Sequence, residues 1–345
     1  MVMTAVKIQA AKRKPGEPFT SLAIPAETIK IPEPIIDPAI TVVESSRLSF
    51  LVVIMEWFVQ KKQKTAYIHY LSTMNRAELI HRIKSRNSFL CIGLDPELDK
   101  LPDHLKETAD PIFTFCKEII DSTRDLCVAY KPNTAFFEQY GSKGWESLQA
   151  VISYIGNNHF IIADAKRGDI GNTAGMYAKA FFRQMNADAV TVAPYMGKDS
   201  VAPFLQFEGK WAIVLALTSN AGSSDFQLNS LSRGGVLFEE VLRQVSTWGN
   251  PENTMFVIGA THPDYFKAVR SIVPDHFLLV PGVGAQGGDL AEVVKAGINK
   301  DVGLLINSSR QIIYASSGLD FAQKARIEAE KIQSAMTVLL KSIFS

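Results

Sequence analysis

Four charged residues lie at or just past the ends of two apolar runs. Lys131 ends one hydrophobic run, Asp164 and Lys166 end the next, and Asp169 follows just past Gly168. One buried charge is costly on its own, whereas alternating ammonium and carboxylate groups keep each other ionised by mutual pairing. Asp164 and Lys166 are two apart in what reads as a strand, so their side chains leave the same face. Gly168 frees the turn that carries Asp169. Two readings are open: an ion-pair network that holds the architecture together, or a fixed field that stabilises charge developing in a reaction.

Other polar groups recur at the ends of apolar runs. The first run ends in Leu94-Asp95-Pro96, and a later one in Thr218-Ser219-Asn220-Ala221-Gly222. Ser219 reads either as a contact for a ligand or as a turn cap. Residues 223–235 are polar and glycine-bearing, the composition of a lid. Gly282-Val283-Gly284-Ala285-Gln286-Gly287 matches GxGxxG, a weak sign of a dinucleotide fold on its own. The match follows the seventh apolar run rather than the first. The eighth run then ends in Asn307-Ser308-Ser309-Arg310, with a guanidinium suited to a phosphate. The alternative is that these glycines only shape a turn.

Short Val/Ile/Leu-rich runs at 89–95, 128–133, 160–166, 189–194, 212–218, 255–260, 277–283 and 303–309 predict eight strands. Amphipathic stretches at 111–126, 173–185, 237–248, 289–296 and 321–340 predict helices between and after them. Eight such units in about 250 residues predict an α/β protein of the (β/α)8 TIM-barrel class rather than an open sheet. In that architecture the chemistry gathers at the carboxyl ends of the strands, where the charged residues lie.

Residues 1–73 differ in texture, with a Lys12-Arg13-Lys14 cluster and prolines at 15, 18, 32, 34 and 38. They read as a poorly ordered extension, an upstream read-through or start-site artefact in preference to an accessory segment. The enzyme domain is expected at 74–345, its first helix capped near Asn75. The apolar run 48–59 falls short of the roughly 20 residues that span a bilayer, and it lies too far in for a signal peptide.

Lys and Arg number 36 against 35 Asp and Glu, so no global field draws the chain to nucleic acid or to a membrane. Cys91, Cys116 and Cys127 show no metal-ligand spacing and read as buried reduced thiols of a cytoplasmic protein. The six histidines form no HExxH or i, i+4 pair, so no metal site is expected.

The pattern Asp164-x-Lys166-x-x-Asp169, with Asp95 and Lys131 upstream, resembles the orotidine 5'-phosphate decarboxylase family. The wording of 130–138, 166–173 and 281–289 is similar to its second bacterial subtype. The likeness runs from about Met74 to the C-terminus. It implies a cofactor-free conversion of orotidine monophosphate to UMP in pyrimidine biosynthesis. Asp95 and Lys131 would contact the ribose, Asp164 would face the substrate carboxylate, and Lys166 would stabilise and then protonate the C6 carbanion. Asp169, Ile170 and Thr173 would reach into a neighbouring subunit's site, making the unit a homodimer. Ser219 would read the pyrimidine edge, and Gln286 and Arg310 would hold the phosphate with amides near Gly284 and Ser309. Ala221 departs from the proline common in this subtype, which would loosen the lid. A metal-dependent 3-keto-gulonate phosphate decarboxylase shares the DxKxxD and stays open as an alternative, as does a catalytically silent nucleotide-binding barrel.

Overall fold

Asn75 is extended and its side chain accepts the Glu78 amide at 2.9 Å, so α1 (Arg76–Arg86) begins at the cap expected from the sequence. It ends on Asn87 in the left-handed region, with φ 47°, whose N–H returns to the carbonyls of Ile83 and Lys84. The computed structural model describes residues 74–261, 263–283 and 288–344. The expectations for 1–73, Gly284 and Gln286 therefore lie outside the described residues.

Eight parallel strands follow: β1 (Leu90–Leu94), β2 (Ala129–Pro132), β3 (Phe160–Arg167), β4 (Ala189–Val192), β5 (Trp211–Leu217), β6 (Thr254–Ile258), β7 (Phe277–Pro281) and β8 (Leu304–Ser308). They pair in chain order and close into a barrel, β8 returning to β1 through Leu90↔Ile306, Cys91↔Asn307 and Ile92↔Ser308. Nearly every strand residue is buried, as expected of a sheet covered on both faces. Cys91, Cys116 and Cys127 are all buried and free, and burial pushes each thiol up.

A helix follows each strand: α2 (Pro111–Thr123), α3 (Gly141–Ile155), α4 (Gly171–Lys179), α5 (Lys198–Leu205), α6 (Leu237–Ser246), α7 (Phe266–Ile272), α8 (Leu290–Gly297) and α9 (Phe321–Phe344). The helix expected over 173–185 starts two residues earlier and finishes as a π-helical turn, Ala180–Gln184. That wider turn buries Phe181 and Phe182 together. Among the described residues no helix is long and apolar enough to cross a membrane.

The first helix closes the amino end of the barrel. Arg76, only 6% exposed, donates to the Pro251 carbonyl just before β6, pairs with Asp301 before β8, and lies 5.0 Å from the ring of Phe277 at the start of β7. Trp211, the first residue of β5, donates to the Met74 carbonyl. The opposite, carboxyl end is left for chemistry.

Candidate active site

Asp164 is the hub of the carboxyl end. Its Oδ2 accepts Lys131 Nζ at 2.6 Å, and its Oδ1 accepts Lys166 Nζ at 2.6 Å and Thr191 Oγ1 at 2.9 Å. Burial pushes this carboxyl up, but the two ammonium groups and their hydrogen bonds outweigh burial and hold it well below the usual carboxylate range. Burial likewise disfavours charge on Lys131, and Asp164 and Asp95 outweigh it, leaving the lysine above its ordinary value. The two lysines differ in access: the Lys131 side chain is 6% exposed and that of Lys166 is 51% exposed. One ammonium is sealed in place, and the other faces the mouth.

Lys166 reaches Asp164 by a different route from simple strand alternation. Its φ is 47°, in the left-handed region that non-glycine residues rarely adopt. The β3–β4 pairing runs Ala163↔Val190 and then jumps to Arg167↔Val192, so three residues of β3 face Thr191 alone. This bulge turns Lys166 back over the strand end. Arg167 then leaves outward and pairs with Glu138.

A second carboxylate, Asp95, extends from the end of β1. Ser309 Oγ lies 2.5 Å from Asp95 Oδ2, and the Tyr314 hydroxyl donates to the Asp95 carbonyl while accepting the Glu97 amide, each at 2.8 Å. Gly93 is required for this approach, because a Cβ there would sit 2.7 Å from Ser309 Cβ. Asp95 Oδ1 and the Asn307 side-chain oxygen are buried and have no hydrogen-bond partner among the described residues. Such acceptors are suited to ligand hydroxyls or water.

Ser219 is half-buried just past β5. Gly259, at the end of β6, lets its backbone come close, since a Cβ at 259 would lie 2.7 Å from the Ser219 nitrogen. The segment 223–235 is rooted here: Gln227 accepts the Thr218 amide at 2.7 Å and donates to the Thr218 hydroxyl at 3.0 Å. Phe226 beside it is 64% exposed.

Lys131, Asp164 and Lys166 are thus brought together, and Asp95 is tied to Ser309. Asp169 does not join the charged array: its carboxylate accepts the Ile170 amide, and it forms no ion pair among the described residues. Ile170, Thr173 and Arg310 are exposed on the single chain. No group of three or more His, Cys, Asp or Glu able to hold a metal occurs among the described residues. Thr191, Tyr314 and Gln227 escape the sequence reading, Thr191 because a threonine in a buried strand is ordinary.

Residues 88–325 match the model of the orotidine 5'-phosphate decarboxylase / HUMPS family. The chain belongs to this family. All eight strands and Asp95, Lys131, Asp164 and Lys166 fall within the matched span. Among curated members, the orotidine 5'-phosphate decarboxylase of Flavobacterium johnsoniae is 61% identical over 275 residues, covering 79% of this chain and 100% of the relative. That of Bacteroides fragilis is 55% identical over 273 residues, covering 78% and 100%. Of solved structures of the family, a Toxoplasma gondii orotidine-monophosphate-decarboxylase is 36% identical with TM-score 0.67, covering 75% of this chain and 96% of that one. The Leishmania donovani OMP decarboxylase is 37% identical with TM-score 0.65, covering 76% and 100%.

Proposed function

We propose that this chain is a carboxy-lyase that converts orotidine 5'-phosphate to UMP and CO2 in pyrimidine biosynthesis, with Lys166 as the proton donor. The observation that carries the residue assignment is a buried carboxylate, Asp164, held between two ammonium groups at 2.6 Å each.

The chemistry demands such an arrangement. When the C6–carboxylate bond breaks, the electron pair stays on C6 in an orbital that the ring π system cannot delocalise. Stabilisation must therefore be electrostatic, and an ammonium fixed beside C6 supplies it once the closing of segment 223–235 shields the site from water. Lys166 then delivers a proton to C6, giving UMP, and recovers one from solvent. Asp164 faces the departing carboxylate and disfavours the charged ground state. With fixed charges in this role the reaction has no need of an electron-sink cofactor.

Asp95, with its free oxygen, and Lys131 take the ribose hydroxyls, Ser219 takes the pyrimidine edge, and Arg310 with Gln286 and the amides near Gly284 and Ser309 takes the phosphate. Binding energy gathered at the phosphate serves to close the segment 223–235. The exposure of Ile170 and Thr173, and the position of Asp169 beside them outside its own chain's charged array, fit a homodimer in which each chain completes its neighbour's site, and we place that dimer in the cytoplasm as a pathway enzyme.

Lys166→Ala tests the assignment. Turnover of orotidine monophosphate should vanish while UMP binding, measured by calorimetry, stays within about tenfold, because the substitution removes a group used mainly in the transition state. Retained turnover would refute the role given to Lys166.

A further inference from the structure

We infer that Thr191 is a positioning residue for the decarboxylation, holding Lys166 and Asp164 in their working relation through one hydroxyl. This rests on the reading of those two residues given above.

Thr191 is 1% exposed and faces the three β3 residues of the bulge. Its hydroxyl oxygen accepts the Lys166 amide at 2.9 Å and lies 2.9 Å from Asp164 Oδ1. The direction of both bonds is forced. An amide only donates and an ionised carboxylate only accepts, so the single hydroxyl proton goes to Asp164 and an oxygen lone pair takes the Lys166 N–H.

The bulge removes Lys166 from the regular β3–β4 ladder, which resumes at Ala193 N–H to Arg167 carbonyl, 2.8 Å. The Thr191 side chain supplies the acceptor that the lost ladder position lacks. It thereby stabilises a left-handed backbone that a lysine would otherwise avoid. The Lys166 side chain is half exposed, so packing does little to aim it, and its direction depends on the backbone beneath it and on Asp164. Thr191 acts on both. It also occupies part of Asp164 Oδ1, limiting the ways in which Lys166 can approach that oxygen.

Valine keeps the shape and strand preference of threonine but has no hydroxyl, and serine keeps the hydroxyl. Thr191→Val should lower kcat about ten- to hundredfold, the cost of an unmet buried donor and a misaimed ammonium. KM for orotidine monophosphate and Kd for UMP should stay within about threefold, with one UMP site per chain by calorimetry. Thr191→Ser should recover kcat to within about threefold of the wild type.

The inference is overturned if Thr191→Val keeps kcat within about twofold. It is also overturned if UMP sites are lost in proportion to kcat, which marks simple misfolding, or if serine is as impaired as valine. Lys166→Ala assayed in parallel separates the two ideas. Activity in that variant overturns the reading of the charged pair, whereas an inactive Lys166→Ala beside a fully active Thr191→Val overturns only the role of Thr191.

Discussion

Ser309 and Asp95 are 214 positions apart in the chain, and their side chains meet at 2.5 Å across the seam where β8 closes onto β1. The contact holds one oxygen of Asp95 and leaves the other without a partner among the described residues, as a free acceptor. Ser309→Ala should therefore raise KM for orotidine monophosphate about tenfold and change kcat less than threefold, since a ground-state contact is loosened. Steady-state kinetics decide, and an unaltered KM would remove the hydroxyl from substrate binding.

Asp169 stands apart from the charged cluster of its own chain, forming no ion pair among the described residues. If it serves a neighbouring subunit, equal mixtures of inactive Lys166→Ala and Asp169→Ala proteins, refolded or exchanged together, should regain up to about a quarter of wild-type activity. Half of the dimers are then mixed, and one of the two sites in each is intact. Mixtures as inactive as the separate variants would place Asp169 within its own chain's site.

Asp164 is already compensated by two ammonium groups, which makes it a poor ligand for a divalent cation. Turnover should be unchanged by dialysis against EDTA. A loss reversed by magnesium would favour the metal-dependent sugar-phosphate chemistry that shares the DxKxxD pattern.

At the amino end of the barrel, burial pushes the Asp188 carboxyl up to about 6, with Lys210 at 3.5 Å opposing the shift only in part. The folded state thus holds a proton that the unfolded chain releases near pH 4, and stability from this group falls as pH rises from about 4 to 6. Asp164 has the opposite sign, its contribution being present above the unfolded value and lost in stronger acid. The difference in Tm between wild type and Asp188→Asn should decline by several degrees, about 2–8 °C, from pH 4 to 7. A constant difference would mean that the carboxyl titrates normally.

Much of this architecture is legible in the sequence for a simple reason. Parallel strands buried on both faces read as unbroken apolar runs, so a charge at the end of one, such as Lys131 or Asp164, is conspicuous. The aim of Lys166 is not legible, because the bulge that turns it exists only in the register between β3 and β4. Thr191 hides among residues favoured in strands. Tyr314 reaches Asp95 from 219 positions away, and Gly93 shows its purpose only once Ser309 is beside it. Gln286 and Gly284 fall outside the described residues, and Arg310 stands exposed just past β8.

Arg76 and Trp211 fasten α1 across the strand starts, so the end of the barrel opposite the charged residues is occupied by a helix anchored to β5 and to the segments that lead into β6 and β8. A ligand drawn to Asp164 and its two lysines would therefore approach from the carboxyl ends of the strands.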